Sequence, residues 1–82
     1  MSDKLEMLMN ASPTLVAKGL EQPTIAFQSG KHRLMFEEKL NDDQLGIVLR
    51  TVRSAVGSLT GIVVEHGGQE ADLAAYAKEK GV

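Results

Sequence analysis

The side chains best equipped for chemistry in this 82-residue chain are basic. Lys31, His32 and Arg33 follow one another, and Arg50 and Arg53 stand a helical turn apart farther along. Guanidinium groups grip carboxylates and phosphates through paired N–H donors, so such a set suits an anionic ligand or an acidic protein face. Arg50 has Gly46 and Ile47 behind it and Arg53 and Ser54 ahead, while Arg53 has Leu49 and Arg50 behind it and Val56 and Gly57 ahead. Neither arginine therefore meets a carboxylate at the spacing of helical ion pairs, and each needs a partner from elsewhere. Glu37 and Glu38 are the intramolecular candidates; solvation or a second molecule are the alternatives. Ile47 shares the outer side of the same helix with Asp43, Arg50 and Ser54. An interface with an apolar centre and an arginine rim would account for Ile47, Arg50 and Arg53 together, the ordinary alternative being one exposed apolar side chain.

Other chemistries find little support. The chain has no cysteine, which removes disulfides, thiolate catalysis and cysteine-containing metal centres. His32 and His66 are the only histidines, and neither has a second ligand at metal-binding spacing, so no metal site is expected. Glu65 and His66 are adjacent on an expected strand and face opposite sides, which separates an acid from its base. No serine occupies a nucleophile elbow, and Ser29-Gly30-Lys31 lacks the long glycine loop of a phosphate-binding motif. No catalytic residue and no cofactor are expected.

Composition sets the frame in which these residues must sit. Hydrophobic residues make up 43% and charged residues 24% of the chain, the mixture of a folding domain rather than a disordered one. Residues 1–82 are too few for more than one core. The aromatics are Phe27, Phe36 and Tyr76 alone, so the core must be aliphatic and the stability modest, which favours self-association. Met1, Met7, Met9 and Met35 read as core or terminal filling more readily than as a soft contact surface. The net charge of −2 argues against a surface given over to nucleic acid or an anionic membrane, though a local patch survives that argument. Met1 to Asn10 carries Asp3 and Glu6 and no long apolar run, and no stretch of the chain approaches a membrane span; the cytoplasm is the expected compartment.

The elements that position the basic residues follow from pattern. Asp3 to Asn10 reads as a short helix, and Ser12-Pro13 reads as the cap and first turn of a second, ended by Pro23. Thr24 to Gln28 and His32 to Glu38 alternate around Ser29-Gly30-Lys31 as a β-hairpin, with Ile25, Phe27, Leu34 and Phe36 inward and Met35 outward. Leu40, Asn41, Asp42, Asp43, Gln44 and Leu45 combine a capping box with a hydrophobic staple. The stripe Leu45, Val48, Leu49, Val52, Val56 and Leu59 then defines a central helix. Gly57 to Gly61 reads as a turn and Ile62 to His66 as a strand, the alternative being helix continued through Val63. Gln69 to Lys80 reads as a last helix, acidic at its start and basic at its end.

The expected fold is α+β: N-terminal helical segments, a hairpin, a central amphipathic helix, a short third strand and a C-terminal helix. The expected function is that of a small non-enzymatic binding or regulatory protein acting through protein–protein contacts, as a homo-oligomer, with Lys31, His32, Arg33, Ile47, Arg50 and Arg53 as the candidate binding residues. The alternative is nucleic acid or a phosphate-bearing ligand held by the basic residues. A second alternative is a very small oligomeric enzyme with an inter-subunit site built from Arg50, Arg53, Glu65 and His66.

Overall fold

The capping sequence at Leu40 to Leu45 folds as its residues dictate in the computed structural model, which describes residues 3–82. The Asn41 side chain accepts the Gln44 N–H at 2.8 Å, and the Gln44 side chain accepts the Asn41 N–H at 2.9 Å. Both halves of the box are thus closed, and Leu40 and Leu45 are buried in one cluster. The elements in order are α1 (Asp3–Ala17), β1 (Thr24–Gln28), β2 (Lys31–Phe36), α2 (Asp42–Val56), β3 (Ile62–His66), β4 (Gln69–Asp72) and α3 (Leu73–Lys80). Met1, one of the methionines read as filling, lies outside the described residues.

The strands form one mixed sheet in the order β1-β2-β3-β4. β1 and β2 are antiparallel, as are β3 and β4, while β2 and β3 run parallel because α2 carries the chain back between them. Pairing of Ile25 with Leu34, Leu34 with Val64, and Phe36 with His66 sets one face of the sheet. Leu34, Phe36, Ile62 and Val64 from that face join Leu8 and Leu15 of α1, Val48, Leu49 and Val52 of α2, and Leu73 and Ala77 of α3 in a single core. The helices therefore occupy one side of the sheet. Among the described residues no helix lies over the other face, which carries Lys31, Arg33, Met35, Val63, Glu65, Glu70 and Asp72.

Two elements differ from expectation. The N-terminal segments are one helix with Pro13 inside it. Leu8, Ala11, Ser12 and Leu15 are its buried residues, at the i, i+3, i+4, i+7 spacing of a continuous stripe, and their burial across the proline outweighs a penalty of about 3 kcal/mol. Ser12 is consequently a buried helical residue and not a cap; its hydroxyl has no hydrogen-bond partner among the described residues. Gly19 ends α1. At φ 88° it lets the Leu20 N–H reach the Leu15 carbonyl at 3.1 Å and its own N–H reach Val16 at 3.0 Å, the paired bonds of a Schellman cap.

The second difference is at the C-terminal end. Gln69 to Asp72 is strand, and helix begins only at Leu73. Gly67 and Gly68 have φ of 55° and 80°, so they form a two-residue hairpin loop whose twist matches the strands, and the residues after it pair back onto β3. A side chain at Gly67 would also put its Cβ within 2.7 Å of the Lys39 backbone nitrogen. Glu70 and Asp72 thereby leave the helical first turn expected for them. Asp72 instead caps α3, accepting the Ala74 and Ala75 N–H groups at 3.1 and 3.2 Å.

Phe27 also departs from expectation. It points to the helix side, as alternation requires, yet remains 55% exposed because β1 is the edge of the sheet and no further strand lies beyond it. Among the described residues no helix is long and apolar enough to cross a membrane.

Candidate functional site

The six candidate residues fall into separate places. Alternation along β2 sends Lys31 and Arg33 to the uncovered face and His32 to the core side. Arg33 lies only 8% exposed, its Nη2 donating to both Glu65 and Glu70 on the next two strands. Those bonds, with Glu70 first and Glu65 second, raise its pKa above the ordinary arginine value. Lys31 pairs with Asp72 at 3.6 Å. Val63, in register with Arg33 on one side and Asp72 on the other, is fully buried beneath these ion pairs. The charge of the hairpin is therefore spent within the sheet, by Glu65 of β3 and by Glu70 and Asp72 of β4, the strand that sequence pattern assigned to a helix.

His32 packs edge-on against Phe27, ring centroids 4.8 Å apart, and is buried. Burial first, and Lys4 second, push its pKa below the ordinary value. His66, at the end of β3, accepts the Leu40 N–H on Nδ1 at 2.8 Å and so fixes the backbone just ahead of α2. Its pKa is lowered too, by burial and then by Lys39. Glu65 faces the other side of the sheet toward Arg33, so Arg50, Arg53, Glu65 and His66 do not converge within one chain. No cluster of three or more potential metal ligands occurs among the described residues.

The α2 residues are where exposed functional groups remain. Glu37 and Glu38 do not pair with the arginines; their backbone N–H groups donate to the Glu21 carboxylate instead. Arg53 donates to the Val82 carbonyl at 3.0 Å, tying α2 to the residue beyond α3. The same helices are joined at the other end of α2, where Tyr76 donates to Asp42 at 3.1 Å and Lys80 lies 3.7 Å from the same carboxylate. Arg50 is exposed and makes no hydrogen bond or ion pair with another described residue; its guanidinium folds back over Gly46, where a Cβ would stand 3.3 Å from Nη1.

Arg50 and Ile47 together form one wall of a groove of about 560 Å³ between α1 and α2. Met7 supplies apolar surface from the opposite helix, and Ala11 and Thr51, both buried, form the closely packed base. Asn10, Thr14 and Ser54 line it with uncharged hydrogen-bonding groups. Among the described residues Lys18 and Arg50 are its charged lining groups and no carboxylate lines it, while Ile47 and Arg50 also border a neighbouring hollow with Asp42 and Asp43. Ile47 is half-buried here, packed against the core from the side, rather than standing alone on an outer surface. The α1 half of the groove was not legible in sequence: splitting α1 at Ser12 hides that Met7, Ala11 and Thr14 fall on one flank of one helix, with Lys18 just past its end. Scans of the chain against protein-family models, curated proteins and solved structures returned no match.

Proposed function

We propose that this protein is a non-enzymatic binding module that holds an acidic, partly apolar segment of a partner protein in the groove between α1 and α2. The observation that carries this reading is the groove's combination of Met7 and Ile47 with Lys18 and Arg50 and no carboxylate among its described lining residues. Methionine adapts its shape to an incoming side chain, and isoleucine offers a fixed apolar surface. An arginine without an internal partner is desolvated at lower cost by a carboxylate that supplies two acceptors at once. The groove takes an apolar anchor between its walls and acidic neighbours at Lys18 and Arg50.

The arrangement favours a protein segment over nucleic acid. Lys31 and Arg33 are committed to Asp72, Glu65 and Glu70, so the basic residues of the hairpin are not available to track a phosphate backbone. Among the described residues no aromatic ring lines the groove to stack a base.

Amide chemical-shift titration tests this with three probes: a short amphipathic peptide of leucine and glutamate, its lysine-for-glutamate counterpart, and a single-stranded oligonucleotide. The acidic peptide is expected to shift the amides around Met7, Ile47, Arg50 and Thr51, and Arg50→Glu is expected to weaken that binding about tenfold or more, through loss of one charge-assisted contact and added repulsion. Shifts elsewhere, no shifts, or equal binding of the basic peptide would overturn the reading. Preferential binding of the oligonucleotide would return the phosphate-ligand alternative.

A further inference from the structure

The two edges of the sheet are built differently. β4 is short, carries Glu70 and Asp72, and turns at once into α3, features that discourage another strand from adding there. β1 reads Thr-Ile-Ala-Phe-Gln, with no charge, no proline within it and an unbroken one-to-one register on β2. An edge of that kind lacks the usual devices against strand addition.

Hydrogen-bond parity says which groups the edge offers. Ser29 and Gly30, with φ of 54° and 77°, make a two-residue loop, so the flanking pair Gln28 and Lys31 is a hydrogen-bonded one. Alternation then turns the N–H and C=O groups of Gln28, Ala26 and Thr24 toward β2, and those of Ile25 and Phe27 outward. No backbone bond to either outward residue is made from beyond the sheet among the described residues.

From this we infer that β1 pairs antiparallel with β1 of a second copy, about a two-fold axis at Ala26, to give a continuous eight-stranded sheet. That axis sets Ile25 opposite the partner's Phe27 and Thr24 opposite the partner's Gln28. The outward groups of Ile25 and the partner's Phe27 meet as a hydrogen-bonded pair, and the symmetric pair does the same. Apolar residues face apolar ones, polar face polar, and no like charges are opposed. A one-residue slip breaks this match, which selects a second copy over an arbitrary strand.

The helix above the edge agrees. Groove residues Met7 and Thr14 lie on one flank of α1; at about 100° per residue, Met9 and Val16 fall on the opposite flank. They are 59% and 46% exposed, and Phe27 below is 55% exposed. Pairing would place these side chains against their symmetry mates while leaving the groove between α1 and α2 open. The inference is thus independent of the proposed function.

Sedimentation equilibrium over a range of concentrations, with hydrogen exchange on the same samples, tests it. The expected result is a monomer–dimer equilibrium in which the Ile25 and Phe27 amides gain protection as dimer forms. Phe27→Lys is expected to raise the dissociation constant about tenfold or more, because a charged edge side chain faces its own symmetry-related region, while Arg50→Glu leaves it unchanged. A monomer at every concentration, or a dimer whose protection appears along α1 and α2 but not at Ile25 and Phe27, would overturn the inference. If Phe27→Lys does not fold, the exchange pattern of the unmodified protein decides alone.

Discussion

At the scale of single residues, the two histidines link stability to pH. Each is held neutral in the fold by burial first, with Lys4 adding to the effect at His32 and Lys39 at His66, so its folded pKa lies below the ordinary 6.5. The unfolded chain takes up these protons as pH falls through about 6.5, and the folded protein does not. Stability contributed by the neutral imidazoles is thus whole above that pH and is lost on acidification until the folded pKa values are reached. Urea unfolding midpoints are expected to fall between about pH 7.5 and about pH 5.5, the range in which histidines titrate ahead of most carboxylates. His66→Phe should flatten part of that slope. It also leaves the Leu40 N–H without its acceptor, at a cost of about 1–3 kcal/mol. An unchanged slope in this variant would locate the proton uptake elsewhere.

Among the elements, α2 contains an exception to its own design. Its capping box, acidic first turn and apolar stripe all favour helix, yet Gly46 sits in its second turn. Glycine there costs about 1 kcal/mol relative to alanine through backbone entropy. The space it leaves is taken by the Arg50 guanidinium, whose Nη1 would lie 3.3 Å from an added Cβ. That atom ends a flexible side chain and can move aside. Gly46→Ala is therefore expected to raise stability by up to about 1 kcal/mol in chemical denaturation. A destabilising outcome would mean that the seat of Arg50 over Gly46 matters to the fold. α1 shows the converse: its proline and buried hydroxyl oppose helix locally, and the stripe through Leu8 and Leu15 overrides them.

For the whole molecule, the uncovered sheet face is stitched by charge. Arg33 on β2 reaches Glu65 on β3 and Glu70 on β4, residues that stand directly opposite each other in the register. Without the guanidinium, two carboxylates would face one another across neighbouring strands. Arg33→Met is expected to lower the unfolding midpoint, and adding Glu65→Gln and Glu70→Gln is expected to restore most of the loss, since the penalty lies in unpaired charge rather than in missing contact. Equal midpoints for Arg33→Met and the triple variant would show that Arg33 acts by covering Val63 and not by pairing.

What the amino-acid sequence determined by itself was local. The Asn41 to Gln44 box, the stripe of α2, the first hairpin and strand Ile62–His66 each announce themselves within a few residues, because capping, periodicity and turn chemistry act at short range. The Gly67-Gly68 hairpin was legible by the same chemistry, but the acidic residues after it read more strongly as a helix start. Only the tertiary structure decided that β2 and β3 lie side by side and parallel, and the fate of the basic residues turns on that. It brought Glu65 and Glu70, over thirty positions away in sequence, onto Arg33, and left Arg50 beside a groove whose other wall comes from α1. Sequence shows which side chains carry charge; only the packing of distant segments shows which charges are already neutralised and which remain for a partner.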